Sequence, residues 1–178
     1  MRIIAGSLRG RRVQGPGAGN TRIRPTSDRA REALFSILQK WPTGGFLDLF
    51  GGTGAVAVEA WSRGYEPVAC VEKSLEALAM IGANVQGTGV RVVRKDARKL
   101  PEGAFRELAV IFADPPYEDS LARWTELAAG LASWLLPGGV MVWETDHRTE
   151  LPPSPQWELV DFRHYGAARF HIFKPAER

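Results

Sequence analysis

The chain has little cysteine, little histidine and no apolar run near the roughly 20 residues of a membrane-spanning helix. The lone Cys70 excludes an intrachain disulfide. His147, His164 and His171 have no spacing that would cage a zinc ion, so no metal or redox framework is expected. The opening MRIIAGSLRGRR has no apolar stretch of signal-peptide length, which predicts a cytoplasmic protein. Acidic residues are also scarce at the start. Residues 1–31 hold eight arginines against Asp28 alone, a local charge of +7, so with +3 overall the remainder carries −4. Clustered arginines build a positive field and release counterions from phosphates, which points to an anionic partner; a solvated basic tail is the other reading. With 178 residues and 44% hydrophobic composition, one domain with one sizeable core is expected.

What is present is an alternation. RIIAGSLRGRRVQ reads as two short strands around a glycine turn, followed by the glycine-rich linker GPGAGNT, so residues 1–26 are expected to form a basic hairpin and linker ahead of a domain spanning 27–178. Ser27 is placed to cap a helix in which Ala30, Leu34, Ile37, Leu38 and Trp41 recur at three- and four-residue spacing, ending before Pro42. FLDLF, PVACV, VRVV, LAVIFA and VMVWE then read as strands, with helices predicted near 55–63, 74–84 and 119–135. Apolar strands alternating with helices predict an α/β fold with a parallel sheet covered on both faces. The tail runs WELVDFRHY and AARFHIF, parted at Tyr165–Gly166, predict an antiparallel pair at the sheet edge.

The segment LDLFGGTGAVAVEA places Gly51, Gly52 and Gly54 between a strand and a helix, where a ligand can approach the backbone and the helix offers unsatisfied amides; a purely steric turn uses glycine in the same way. The acids shift the balance toward a ligand. Asp48, Glu72 and Asp96 each end successive predicted strands, the edge at which open α/β sheets bind ligands. Glu72 suits two ribose hydroxyls, Asp96 an adenine amine and Asp48 a cationic amino group. The site is expected to include Phe50, Thr53, Lys73 and Ala97, which flank these positions. A dinucleotide loop competes, since Gly52-Thr53-Gly54-Ala55-Val56-Ala57 fits GxGxxA. Three strand-end acids suit a cofactor with a cationic amino-acid portion better than a pyrophosphate, so S-adenosylmethionine is preferred.

Asp114-Pro115-Pro116-Tyr117 follows the fourth strand at the same edge. Each proline lacks an amide hydrogen, leaving the carbonyls of Asp114 and Pro115 to accept from a planar NH2 group. An exocyclic base amine is a poor nucleophile; two hydrogen bonds, one to the Asp114 carboxylate and one to a carbonyl, would aim its lone pair at a sulfonium methyl. Tyr117 offers a stacking face. A proline-rich turn with a packed tyrosine is the bland alternative. Carbon-directed transfer through a cysteine adduct is disfavoured because Cys70 sits in an apolar strand. Methylation of an amine needs no strong general base, so the histidines read as structural or solvated, and the six tryptophans as core.

With these residues in place, the chain resembles the RsmD-like family of bacterial 16S ribosomal RNA guanine-N2 methyltransferases. The resemblance runs through Met1–Gly6, Arg24-Pro25-Thr26, Arg31–Phe35, Asp48–Gly51, Glu59-Ala60, Ser62-Arg63-Gly64, Glu72 and Asp114–Tyr117. It implies a Rossmann-like, seven-stranded class I methyltransferase fold with an N-terminal hairpin that grips RNA. It implies S-adenosylmethionine held by the Asp48–Gly54 loop, Glu72 and Asp96, and ribosomal RNA, within a small-subunit particle or assembly intermediate, presented to Asp114–Tyr117. Gly52, Thr53 and Ala57 depart from the family's usual Ala, Ser and Gly. Arg2, Arg9, Arg11, Arg12, Arg22, Arg24, Thr26 and Arg29 are the expected RNA contacts, while Arg29 and Glu32 fit an exposed helix pair equally well. A monomer needing neither membrane nor metal is expected. A DNA adenine or cytosine amino-methyltransferase, and an RNA-binding assembly factor without catalysis, are the competing readings.

Overall fold

Ser27 starts the first helix as its spacing predicts: the hydroxyl accepts from the Ala30 amide at 3.1 Å, and α1 spans Asp28–Leu38. The computed structural model describes residues 1–17 and 26–177. Arg22 and Arg24 lie outside the described residues. From residue 45 the chain alternates β1 (Gly45–Asp48), α2 (Ala55–Ser62), β2 (Val68–Glu72), α3 (Leu75–Asn84), β3 (Arg91–Arg94), β4 (Leu108–Ala113), α4 (Ser120–Leu131) and β5 (Leu135–Asp146). It closes with β6 (Trp157–Tyr165) and β7 (Ala168–Pro175).

The seven strands lie in the order β3-β2-β1-β4-β5-β7-β6. The first five are parallel, and β7 inserts antiparallel between β5 and the edge strand β6. All six residues of β4 and all four of β1 are buried, as strands covered on both faces must be. Leu34, Phe35 and Leu38 of α1 and Val56, Ala57 and Ala60 of α2 pack one face, over Phe46, Val110, Phe112, Phe170 and Ile172. Trp124, Ala128 and Leu131 of α4 pack the other, over Ile111, Met141, Trp143 and Phe173. Strand order reverses between β1 and β4, so the crevice for a ligand opens above the C-terminal ends of those strands.

Three local expectations change. The N-terminal segment forms a single bridge, Arg2 with Arg12, rather than two strands. The helix predicted over 119–135 is α4 flanked by short 3-10 turns at Tyr117–Asp119 and Ala132–Trp134. β5 starts at Leu135 and runs through Pro137-Gly138-Gly139, residues that read as a turn. Gly139 belongs there because a Cβ would stand 2.9 Å from the Leu108 carbonyl oxygen.

The basic hairpin is docked on the body. Ile3 and Val13 are buried against Ala55 and Val58 of α2. The fully buried Glu59 carboxylate accepts from the amides of Ile4 (2.8 Å) and Ala5 (3.0 Å) and from Arg63 Nε (2.8 Å). Arg31, also fully buried, places Nε 3.7 Å from Glu59 and donates through Nη2 to the Arg2 carbonyl and to Asp28. Gly6, at φ +83°, lies so close to α2 that a Cβ would stand 1.8 Å from the Ser62 carbonyl oxygen. Glu59→Ala strips two arm amides of their acceptor and leaves Arg31 without this counter-charge, so a loss of about 3–5 kcal/mol is expected in urea unfolding. The amides of Ile4 and Ala5 should lose hydrogen-exchange protection in the same variant.

Candidate active site

Strand register builds the site in rows. Cys70, Asp48, Phe112 and Val142 are register partners on β2, β1, β4 and β5. Glu72, Asp114 and Glu144 each stand two residues beyond a member of that row. Because side chains alternate, all three share the face of Asp48, one step nearer the strand ends. Arg94 is the register partner of Glu72, and Asp96 follows two residues later. Five strands thus bring five carboxyl-bearing residues and the glycine loop to one end of one face.

Gly51 tightens the turn after β1: its amide donates to the Val71 carbonyl, and a Cβ would meet Cys70 Sγ at 2.3 Å. Cys70 is therefore the floor of the loop, and its burial pushes the thiol well above the ordinary thiol range. Gly52, at φ +55°, faces open space, with no atom within 4 Å of where a Cβ would lie. Thr53 is buried and keeps to the loop, with its carbonyl accepting from Asn84 Nδ2 at 2.8 Å. Phe50 packs edge-on against Trp143.

Asp48 is buried, and its Oδ1 has no hydrogen-bond partner. Burial, then the charges of Asp114 and Glu72, push its carboxyl up to about 8, while the Phe50 and Ala57 amides offset part of that rise. A buried acid with an orphaned oxygen beside other carboxyl groups has the capacity to accept a hydrogen bond from a cationic donor.

Glu72 ties the loop to the next helix: one oxygen accepts from the Gly52 amide at 2.9 Å, the other from the amides of Lys73 and Ser74 at 2.8 Å each. A carboxylate has about four acceptor sites, so these bonds orient Glu72 and leave capacity for a ligand hydroxyl. Asp96 is more heavily engaged. Arg98 holds it through guanidinium and backbone amide, and Lys73 Nζ lies 3.7 Å away; the Arg98 bond above all keeps its carboxyl well below the usual carboxylate range. Asp96 is thus first of all the cap of the turn that buries Ala97.

Past β4, Pro115 is buried, Pro116 exposed, and Asp114 and Tyr117 half-buried. Pro116 is extended and its carbonyl accepts from the Asp119 amide, which starts the turn carrying Tyr117. The Tyr117 hydroxyl donates to Glu144 Oε1 at 3.4 Å. Glu144 is buried and is not among the residues singled out by sequence, although it lies near the end of β5, which runs on to Asp146. Arg31 and Glu59, likewise unassigned, are the buried pair of the arm.

The expected RNA contacts divide. Arg9 and Arg12 are exposed on the arm, Arg29 is exposed on α1, and Thr26 precedes its cap. Arg2 closes its own turn by donating to the Gly10 carbonyl at 2.9 Å. Arg11 instead holds the end of α3, donating to the carbonyls of Asn84 (3.1 Å) and Gln86 (2.7 Å). His171 is buried and bonded to Thr145 Oγ1 at 3.0 Å; burial lowers its imidazole to about 4. Among the described residues no group of three or more His, Cys, Asp or Glu is placed to hold a metal ion, and no helix is long and apolar enough to cross a membrane.

Comparison with known proteins identifies relatives in sequence and in fold. A family described as Conserved hypothetical protein 95 matches residues 1–174. YlbH of Bacillus subtilis (strain 168) is 34% identical over 184 residues, covering 98% of each chain. Ribosomal RNA small subunit methyltransferase D of Escherichia coli (strain K12) is 28% identical over 179 residues, covering 98% of this chain and 89% of the relative. The solved structure of yhhF from Escherichia coli superposes with a TM-score of 0.78 at 27% identity, covering 100% of this chain and 99% of that one.

Proposed function

The chain belongs to the family Conserved hypothetical protein 95, and from that premise we propose that it transfers a methyl group from S-adenosylmethionine to the exocyclic N2 amine of a guanine in small-subunit ribosomal RNA, in the cytoplasm. The observation that carries the reading is the gathering of Asp48, Glu72, Asp114 and Glu144 at the C-terminal ends of neighbouring strands on one face, with Asp114-Pro115-Pro116-Tyr117 at the open end. S-adenosylmethionine supplies the electrophilic methyl. Asp48 would hold its ammonium, Gly52 the close backbone approach, Glu72 the ribose hydroxyls and the Asp96–Ala97 turn the adenine edge. Phe50 and Thr53 shape the loop, and Lys73 screens Asp96.

Asp114 accepts one N–H of the target amine and a proline-loop carbonyl accepts the other, which orients the nitrogen lone pair. Tyr117, held by Glu144, supplies a face for the base. A second carboxylate beside Asp114 favours guanine: its Watson–Crick edge presents N1–H and N2–H2 donors together, where adenine and cytosine place a ring-nitrogen acceptor beside the amine. The base must leave its stack to reach this depth, so a loop or opened helix is the expected substrate. Incubation with methyl-labelled cofactor should label small-subunit ribosomal RNA and leave duplex DNA unlabelled; label in DNA alone would reassign the enzyme to DNA amines.

The hairpin and linker, residues 1–26, are read as the RNA-gripping extension of the 27–178 domain, with the segment from Ile3 to Gln14 docked on it. Because Arg11 serves α3, the phosphate contacts fall to Arg9 and Arg12. Arg9→Ala with Arg12→Ala should weaken RNA binding and reduce the salt slope by about two, with cofactor affinity unchanged. Arg11→Ala should instead lower the unfolding midpoint.

A further inference from the structure

The edge strand carries a surface that the catalytic row does not use. Phe162 of β6 is 52% exposed, although it is aromatic and lies in a sheet. The His164 ring meets it edge-on at 5.6 Å, and the Arg169 guanidinium of β7 lies over it with Cζ 5.9 Å from the centroid. Register explains the cluster. Phe162 pairs with His171 and His164 with Arg169, so Phe162, His164 and Arg169 share one face of the antiparallel pair. Arg169 is braced by a bond to the His147 carbonyl at 3.1 Å, in the loop where Arg148 is also exposed. The nearby acids are engaged: Asp161 pairs with Arg163 at 2.7 Å, and Asp146 accepts from the amides of Arg148 and Thr149.

The direction of the strands places this cluster. β5 ends at Asp146, the register partner of Ala168, and Ala168 also pairs with Tyr165. The end of β6 and the start of β7 therefore lie at the same sheet edge as Asp114 and Tyr117. In the order β4-β5-β7-β6, three spacings of about 4.8 Å separate them, about 14 Å along the sheet, with Phe162 on the face opposite Glu144, whose register runs through Phe170 to Arg163. That is close to four nucleotides of stacked strand at roughly 3.4 Å each.

We propose that Phe162, flanked by His164 and Arg169, is a stacking platform for an unpaired nucleotide of the substrate RNA about four positions from the target base, with Arg148 of the adjoining loop facing its phosphates. The inference rests on the RNA methyltransferase reading above and adds to it a second RNA contact, on the far side of the catalytic loop from the arginine hairpin. An aromatic ring with an arginine over it stacks any base without sequence preference, and the cations follow the backbone charge. A strand held on both sides of Asp114 keeps the extruded guanine from returning to its stack.

The test compares wild type, Phe162→Ala and Phe162→Trp in the full chain, titrated with protein-free, unmethylated small-subunit ribosomal RNA. Loss of the ring should weaken RNA affinity about tenfold, tryptophan should restore it, and cofactor affinity should be equal in all three. Wild-type RNA affinity in Phe162→Ala, with the wild type active, overturns the platform and leaves the methyltransferase reading standing. A defect confined to intact small-subunit particles, with protein-free RNA bound normally, assigns the patch to a protein partner and overturns it as well. If the wild type methylates no RNA, the functional reading fails and the platform with it.

Discussion

Asp114→Ala should lower single-turnover methyl transfer on the order of a hundred- to a thousandfold while the cofactor still binds. The carboxylate is proposed to touch the amine as charge develops on its nitrogen, and removing one preorganised electrostatic partner of a reacting group has that scale of effect. The binding arm has its own sign. After burial, the charge of Asp114 contributes most to the raised proton affinity of Asp48, so its removal eases ionisation of Asp48. Cofactor affinity near pH 7 should be equal to or somewhat tighter than wild type. Calorimetric titration together with rapid-quench turnover separates the two effects. Full turnover in the variant would detach Asp114 from the chemistry, and loss of cofactor affinity would make it a binding residue.

The second large effect belongs to Asp48. In the unfolded chain its carboxyl ionises near 3.8, whereas in the fold it does so at about 8. Between those values the folded state holds the extra proton. Stability therefore falls as pH rises through the window, with a slope of up to roughly 1.4 kcal/mol per pH unit, and levels off above about 8. Asp48→Asn removes this loss, so its melting temperature should exceed wild type at pH 8 and converge with it near pH 4. The gain in stability comes with a loss of function. A buried charged hydrogen bond of roughly 1.5–3 kcal/mol corresponds to about ten- to a hundredfold in cofactor affinity. Wild-type affinity should rise between pH 6 and 8 as binding displaces the Asp48 proton, and that pH dependence should vanish in Asp48→Asn. Titrations in buffers of different ionisation enthalpy would count the proton.

The parts of this architecture legible in sequence are those set by local pattern. Apolar runs such as LAVIFA, the Ser27 cap and the spacing of Ala30, Leu34 and Leu38 all depend on neighbours in the chain, and the elements follow them. The glycine loop was legible for the same reason, since Gly51 and Gly52 announce a close approach. The docking of the arm was not. Among the described residues Ile3 and Val13 are buried there, with Met1 and Leu8 partly so, too irregularly spaced to show periodicity, and polar contacts run to Glu59, Ser62 and Asn84 more than fifty residues away. An arginine count therefore grouped Arg11, which caps α3, with Arg9 and Arg12, which face solvent. Glu144 was hidden differently. VMVWE reads as a strand with Glu144 at its end, but the pairing with β4 that sets it beside Asp114 joins distant segments and leaves no local pattern.

The measurement that bears most directly on the central claim is the identity of the methylated nucleoside. Small-subunit ribosomal RNA lacking the modification, methylated by the purified protein and digested to nucleosides, should yield N2-methylguanosine in mass spectrometry, at one position and absent with Asp114→Ala. N6-methyladenosine or N4-methylcytidine in its place would contradict the pairing of Asp114 and Glu144 with a guanine edge, and no methylated nucleoside at all would contradict the assignment of this site to RNA methylation.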